Sequence, residues 1–190
     1  MNREQLAQVL RAASRIAGDR PIVMGSQAIL GTFDHEVLPD SATVSMEADL
    51  AFLDDPDRAK ADQVTGMIGE DSEFHLERGY YAEGIHVTTA RLAPGWEDRL
   101  VVQVVPPGAD GPGAVACFLE RHDLAAAKLA AFRAKDIRFV TTLADAQLID
   151  LATVRERIEQ TDLSPVARHR ALTLLDSLPT ASDTRADHDT

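Results

Sequence analysis

Apolar residues recur at helical spacing near both ends of the chain. Over 4–16 they fall on one face of a helix, and Gly18 is placed to end it. Toward the other end the same periodicity predicts helices over 124–132, 137–147, 151–159 and 165–177. The pattern therefore indicates one helix at the start of the chain and a helical segment at its end.

Short apolar runs between these helices predict a β-sheet. Residues 21–24 form an apolar run that ends at a Gly-Ser turn, and 46–53 alternate acidic and apolar positions before becoming fully apolar. Further strands are expected over 85–89, 100–105 and 115–119, the first two as a hairpin or a meander. Helices are expected to begin near Gln27, from Asp55-Pro56 toward Ile68, and over 72–77.

This order of elements predicts an α/β (α+β) fold, with a mixed β-sheet flanked by helices and followed by a helical C-terminal part. A chain of 190 residues favours one compact domain. We assign 1–120 to its α/β core, 121–180 to a helical part of the same domain, and the small, polar residues 181–190 to a disordered tail.

The charge balance is strongly acidic, with 19 Lys and Arg against 31 Asp and Glu and a formal net charge of -12. Such a chain is not expected to bind DNA without sequence preference or to dock on anionic membranes, because clustered cations drive both. No apolar run approaches the roughly 18 residues of a membrane span, and Cys117 is the single cysteine. We expect a cytoplasmic protein without disulfides, and the six unpaired His do not indicate zinc.

Two features of the predicted sheet carry chemistry. Gly25 and Ser26 form a turn directly after an apolar strand, where backbone N–H groups and the Ser26 hydroxyl would approach a phosphate. Glu47 and Asp49 stand two residues apart on the next strand, so their carboxylates point to the same side. Two carboxylates at this spacing suit Mg²⁺, although such a pair is also common on a solvated strand face.

These motifs, Ile22-Val23-Met24-Gly25-Ser26 and Glu47-Ala48-Asp49-Leu50, resemble the signature of the DNA polymerase beta-like nucleotidyltransferases. The segment 123–136 is similar to the Lys-then-Arg-x-Lys/Arg-Asp block of the AbiEii and MenT group of toxin nucleotidyltransferases. The resemblance runs from about Leu6 to Leu151. It implies a minimal nucleotidyltransferase fold.

By this resemblance, each motif has a role in one active site. Gly25 and Ser26 hold the phosphates of a nucleoside triphosphate, and Glu47 and Asp49 bind Mg²⁺ or Mn²⁺. A second set completes the site: Lys128 at the phosphates, Arg133 at the nucleotide, and Asp136 at the nucleotide or as a supporting charge.

The implied reaction is transfer of a nucleoside monophosphate from the triphosphate to an acceptor hydroxyl. In the toxin group the acceptor is the 3′ end of a tRNA and the partner is an antitoxin; a protein hydroxyl or a small molecule stays an alternative acceptor.

Two departures from the family pattern motivate a second hypothesis. Glu47 stands where Asp is usual, and its extra methylene moves the carboxylate by about one bond. The predicted later strands offer His86 and Gln103 where many members carry a third carboxylate. The alternative function is a catalytically silent module that binds a nucleotide or a partner protein.

Overall fold

The computed structural model describes residues 1–179, in which helices and a mixed sheet confirm the predicted α+β class. The α-helices of this part are α1 Arg3–Ala17, α2 Ala59–Ile68, α3 Glu73–Arg78, α4 Arg121–Ala131, α5 Ala134–Asp145, α6 Leu151–Gln160 and α7 Pro165–Asp176. Its strands are β1 Ile22–Val23, β2 Glu47–Ala51, β3 Tyr81–Gly84, β4 Val101–Val105 and β5 Ala114–Phe118. The predicted tail, 181–190, lies outside the described residues.

The chain divides into two compact units. The first comprises 1–89 and 97–120 and holds α1 to α3 with the whole sheet. The second comprises 90–96 and the chain from 121 onward, and its described part holds α4 to α7. The division after residue 120 coincides with the predicted end of the α/β core. Residues 90–96 are predicted to belong to that core, but they lie in the second unit. That the two units form one domain stays a prediction.

The sheet of the first unit has the order β3-β2-β1-β5-β4. Strand β1 pairs antiparallel with β2 and parallel with β5, so it lies at the centre. Strand β2 pairs parallel with β3, and β4 pairs antiparallel with β5. The strand that carries the predicted acidic pair is therefore flanked by the strand of the Gly-Ser turn on one side and by β3 on the other.

Local sequence signals explain why α1 begins and ends where it does. The Asn2 side chain accepts a hydrogen bond from the Gln5 N–H, and the Gln5 side chain accepts one from the Asn2 N–H, which forms a capping box. Gly18 ends the helix in the left-handed conformation at φ 62°. The apolar face, with Val9 and Ala13 fully buried, packs on the sheet as the periodicity predicts.

Helix α2 begins later than its capping signal suggests. The Asp55 carboxylate accepts hydrogen bonds from the N–H groups of Lys60 and Ala61, both at 2.9 Å, so it does cap the helix. The helix itself starts at Ala59, because Arg58 adopts a left-handed conformation at φ 60°. The expectation that Pro56 would be the first helical residue is wrong.

Two further predictions of local structure are wrong. Residues 85–89 do not form a strand: 87–89 are a short 3-10 helix, and the strand lies earlier, at β3. The run Ile-His-Val-Thr-Thr has high β-propensity, but β3 is fixed by pairing with β2, and β4 pairs with β5 rather than in the expected hairpin. The helix expected near Gln27 is a 3-10 helix, Ser26–Gly31.

The second unit packs around α4, which contacts α5, α6 and α7. Leu124 and Leu129 of α4 are almost fully buried in its core. Its helices appear where the periodicity predicts them, within a few residues at each end. No helix in residues 1–179 is both long enough and apolar enough to cross a membrane.

Candidate functional site

The Gly-Ser turn and the acidic strand are joined directly through Asp49. The Met24 N–H donates to the Asp49 carbonyl at 2.9 Å, which places Gly25 beside the Asp49 side chain. A Cβ on Gly25 would lie only 1.7 Å from Asp49 Oδ2, so the carboxylate occupies the space that any other residue would need for its side chain. Glycine is required here because the carboxylate packs directly on its backbone.

Glu47 and Asp49 share one face of β2. Between and after them, Ala48 and Leu50 are fully buried, whereas the two acidic residues are half-buried. The alternation follows the period of two expected of a strand with one face in the core. Both carboxylates thus lie on the face opposite to the one that packs into the core.

A third carboxylate, which the sequence analysis missed, lies on the neighbouring strand. In the parallel pairing of β2 with β3, Asp49 is the register partner of Glu83. Strands in a sheet are about 4.8 Å apart and register partners point to the same side, so Glu83 joins the face of Glu47 and Asp49. We call these three residues the acidic face.

Glu83 is neither of the two residues, His86 and Gln103, that the predicted later strands offer in place of a third carboxylate. It was missed because the strand was expected over 85–89, which leaves Glu83 in a preceding turn. The signal that would have found it is the alternation in Tyr-Ala-Glu-Gly at 81–84, directly after the helix-ending Gly79.

Ionisation of Glu83 is disfavoured in the acidic face. Burial raises the pKa of the Glu83 carboxyl above its ordinary value, and the nearby charge of Asp49 raises it further. Arg58 acts in the opposite direction, and its Nη2 donates to the Gly84 carbonyl at 3.2 Å. A carboxyl with a raised pKa next to other carboxylates is a common feature of sites that move protons.

Tyr81 borders the acidic face as the register partner of Glu47. Burial, and then the charge of Glu47, raise the pKa of its phenol, which keeps it neutral. Its ring lies against the His75 ring, with centroids 4.7 Å apart. Tyr80 points elsewhere and is buried, with its hydroxyl bonded to Gln8.

The acidic face carries carboxylate oxygens, the type of ligand that Mg²⁺ prefers. In the described part of the chain, no group of three or more His, Cys, Asp or Glu side chains is arranged to hold a metal ion by itself. Mg²⁺ typically uses one or two carboxylates together with phosphate oxygens and water, rather than a cage made only of protein ligands. Glu47 and Asp49, which share one face, can supply the two carboxylates.

The cations predicted for the site converge on Asp136 in the second unit. Lys128 Nζ lies 3.3 Å from Asp136 Oδ1, and Arg133 Nε donates to Asp136 Oδ2 at 2.6 Å. Burial alone raises the pKa of this carboxyl, but the bond from Arg133 and the charge of Lys128 outweigh it and hold the pKa below its usual value. Asp136 therefore stays ionised as the shared partner of two cations.

The break between α4 and α5 creates this cluster. Phe132 is in the left-handed conformation at φ 57°, and α5 begins two residues later, at Ala134. Asp136 then lies in the first turn of α5, with its N–H bonded to the Arg133 carbonyl at 2.9 Å. Lys128 is not a solvated surface lysine, since its side chain is 10% exposed and its Nζ lies 5.2 Å from the Phe139 ring centroid.

Asp136 is fully buried, so of its two predicted roles the geometry favours that of a supporting charge. It holds Lys128 and Arg133 at fixed positions, while the Arg133 side chain remains 62% exposed. Of the three side chains, Arg133 is the one most exposed to solvent.

One cavity of the first unit is lined by helices rather than by the acidic face. It measures about 680 Å³ and is lined by residues of α1, α2 and α3, including Ile16, Met67, Phe74 and Arg78. None of the predicted site residues lines it.

The predicted site residues thus form two groups, one in each unit. Gly25, Glu47 and Asp49 are in contact or share a face in the first unit, where Ser26 opens the 3-10 helix after the turn. Lys128, Arg133 and Asp136 form the cluster of the second unit. Comparison of the chain with protein-family models, with curated proteins and with solved structures finds no match. The family assignment and the single active site both stay predictions.

Proposed function

We propose that this protein is an Mg²⁺-dependent nucleotidyltransferase, which transfers a nucleoside monophosphate from a nucleoside triphosphate to an acceptor hydroxyl. The observation that carries the proposal is the position of Asp49. Its carboxylate lies against Gly25 while it shares a face with Glu47 and is the register partner of Glu83. These contacts support the proposal because they hold the predicted phosphate-binding turn next to a carboxylate that could bind a metal ion.

In the proposed complex, Glu47 and Asp49 would hold the metal ion, and oxygens of the triphosphate would complete its coordination. Mg²⁺ would neutralise charge on the phosphates and so favour attack at the α-phosphorus. Gly25 gives Asp49 room to lie against the turn, and the Ser26 hydroxyl donates to a phosphate oxygen.

Glu83 is the group we assign to proton removal. The acceptor oxygen attacks the α-phosphorus and gives its proton to the Glu83 carboxylate. The bond from the α-phosphorus to the bridging oxygen breaks, and pyrophosphate leaves. The raised pKa of Glu83 makes it a better proton acceptor than an ordinary glutamate once it is ionised.

Lys128 and Arg133 are proposed to neutralise the triphosphate, as the resemblance implies. A lysine provides a compact charge for the leaving phosphates, whereas the arginine provides a fork of N–H groups. Asp136 acts on the substrate only through these two cations, so it is a positioning residue. A loss of transfer on Arg133→Gln, at a side chain that is 62% exposed, with the thermal midpoint retained, would support this assignment.

The charge distribution supports a nucleic-acid acceptor that is bound locally. The first unit carries 8 cations against 20 anions, whereas the described part of the second carries 10 against 8. Arg133, which precedes α5, and Lys135 and Arg138, on its first turns, are exposed. As the resemblance implies, we propose the 3′ end of a cytoplasmic tRNA as the acceptor and an antitoxin as the protein partner. Binding of tRNA should weaken as salt rises.

A labelling experiment tests the transfer. The protein is incubated with each α-labelled triphosphate, Mg²⁺ and total tRNA, and the label is followed on tRNA and on the protein. We expect labelling by the wild type, its loss with EDTA, and a reduction of at least about 100-fold in Asp49→Ala. Asp57→Ala, which removes an exposed aspartate of the same unit, is the matched control and should label normally.

Equal labelling by the wild type and Asp49→Ala would refute the proposal. The second candidate, a silent nucleotide-binding module, is favoured by the glutamate at position 47 in place of the usual aspartate. It predicts that the wild type binds a triphosphate with Mg²⁺ but transfers no label to any acceptor.

A further inference from the structure

The two edges of the sheet differ in how they are protected. At one edge, β3 is four residues long, carries the charged Glu83 and is packed against α2. At the other edge, β4 has the sequence Val-Val-Gln-Val-Val over 101–105, with no charge and no proline. Natural sheets usually protect an edge with charges, prolines or a covering element, because unpaired main-chain groups are a template for another strand.

Hydrogen bonding within the sheet shows which main-chain groups of β4 face outward. On β5, the Cys117 N–H donates toward β1 at 2.9 Å. Main-chain groups of successive residues point to alternate sides of a strand, so those of Ala116 face β4, where its partner is Gln103. The N–H and C=O groups of Gln103 therefore point to β5, and those of Val102 and Val104 point to the open edge.

Val102 and Val104 also carry the exposed apolar side chains of this strand. Their exposed fractions are 58% and 78%, whereas Gln103 turns to the other face and donates to the Gly31 carbonyl at 2.7 Å. Within residues 1–179, no hydrogen bond joins the outward main-chain groups of these two valines to another residue. A further strand at this edge could therefore form hydrogen bonds with four main-chain groups and contact two valine side chains.

We propose that the partner of this edge is a second copy of the chain, paired antiparallel through β4 to give a ten-stranded sheet. The sequence of β4 reads the same in both directions about Gln103. In an antiparallel pair centred on Gln103, Val102 lies opposite the partner's Val104, and Val104 opposite the partner's Val102. The same patch on both copies is therefore complementary to itself, as a two-fold interface requires.

This register satisfies every outward group of the strand. Val102 and the partner's Val104 exchange both N–H···O=C bonds, and the symmetry-related pair does the same. The exposed valine side chains stack on each other across the two-fold axis on one face of the extended sheet. A shift by one residue would turn the valines of the two copies to opposite faces.

The dimer is expected to be weak and salt-dependent. Pairing of one short strand buries less than the 1,200–2,000 Å² or so of a standard stable interface. Each copy also carries a net charge of -12, so the two copies repel each other at low salt. Association should increase with protein concentration and with salt, in contrast to the proposed binding of tRNA. The inference does not depend on the proposed function.

Sedimentation equilibrium tests the interface. We expect the apparent mass of the wild type to rise from 20.6 kDa toward twice that value with concentration, more strongly in high salt. Val104→Lys should remain at 20.6 kDa, because it places like charges at the paired edge. Val166→Lys, at a valine that is 75% exposed on α7, is the matched control and should associate like the wild type.

A monomeric wild type at all concentrations, or a Val104→Lys variant that associates normally, would overturn the proposal. Cross-linking tests the register independently of that variant's folding. In a Cys117→Ala background, Gln103→Cys should form a disulfide-linked dimer under mild oxidation, since directly opposite residues of this type lie about 4.5 Å apart at Cα. Val104→Cys should not, because its copies would be about 7–8 Å apart. Equal cross-linking of both variants would exclude this register.

Discussion

Replacing Gly25 by alanine tests the contact on which the proposed site is built. The added Cβ would lie 1.7 Å from Asp49 Oδ2. A carbon and an oxygen need about 3.2 Å between them, so the carboxylate would have to move by roughly 1.5 Å. Metal–ligand distances in proteins lie within about 0.2 Å of their standard values, so a shift of this size would disrupt metal binding. The variant should therefore lose most of its Mg²⁺-dependent nucleotide binding, by at least about 10-fold.

The same substitution should lower stability. Overpacking typically destabilises the folded state by about 1–3 kcal/mol. The lower entropy of the unfolded chain offsets about 0.4–1 kcal/mol of this loss. We expect Gly25→Ala to unfold about 2–8 °C below the wild type in a thermal melt. Gly66→Ala is the control, because Gly66 lies within α2 and a Cβ there meets nothing within 4 Å. It should gain about 0.5–1 kcal/mol and bind nucleotide normally.

A double-mutant cycle isolates the contact itself. In an Asp49→Ala background the carboxylate is gone, and the nearest remaining atom of residue 49 is its Cβ, 3.0 Å from the new methyl group. Gly25→Ala should then cost less than it does in the wild type, with a coupling energy of about 1 kcal/mol or more. Equal costs in the two backgrounds, together with normal nucleotide binding by Gly25→Ala, would refute the reasoning.

Two further variants probe the charged groups. Asp136→Asn leaves Lys128 with a weaker partner and should lower the thermal midpoint by the equivalent of about 3 kcal/mol at pH 7. The pKa of Asp136 is lowered in the native state, so this difference between variant and wild type should disappear as the pH falls below 3.8. An unchanged midpoint would show that the cluster does not stabilise the second unit. The raised pKa of Glu83 means that the native state holds this proton to a higher pH than the unfolded chain, so ionisation costs stability as the pH rises above 4.5. Glu83→Gln should therefore raise the midpoint relative to the wild type more at pH 7 than at pH 4, and a difference independent of pH would contradict the assigned shift.

Helices were the part of the fold that the sequence predicts well. Helix α1 and the four helices of the second unit have regular apolar faces and local caps such as Asn2, Gly18 and Ser164, which act within a few residues of chain. Such signals do not depend on the remainder of the fold. The boundary of α2 was misplaced because a left-handed Arg58 follows the capping Asp55.

The strands were harder to predict because pairing decides them. Strand β3 has a weak local signal, with Ala82 and Gly84 on its buried face, and forms because it pairs with β2. In the neighbouring run 85–89, which has higher β-propensity, the Ile85 N–H donates to the Leu50 carbonyl of β2 at 2.8 Å, and the chain then forms a 3-10 helix at 87–89. Because the strand was misplaced, Glu83, the third member of the acidic face, was not predicted.

The candidate site was predictable where the chemistry lies within one motif. The shared face of Glu47 and Asp49 follows from the period of a strand. The contact between Gly25 and Asp49 depends on the pairing of two strands more than twenty residues apart, which no local pattern contains. The shared burial of Lys128 and Asp136 likewise depends on the break at Phe132 between two helices.

Binding of a nucleotide and a metal at the acidic face is tested most directly by isothermal titration calorimetry. The titrant is a triphosphate analogue with a non-hydrolysable bridge between the α- and β-phosphates, used with each of the four bases. We predict that the wild type binds at least one analogue with Mg²⁺ and not with EDTA, and that Asp49→Asn does not bind. Binding that is unchanged by Asp49→Asn, or no binding by the wild type in Mg²⁺, would contradict the proposed site.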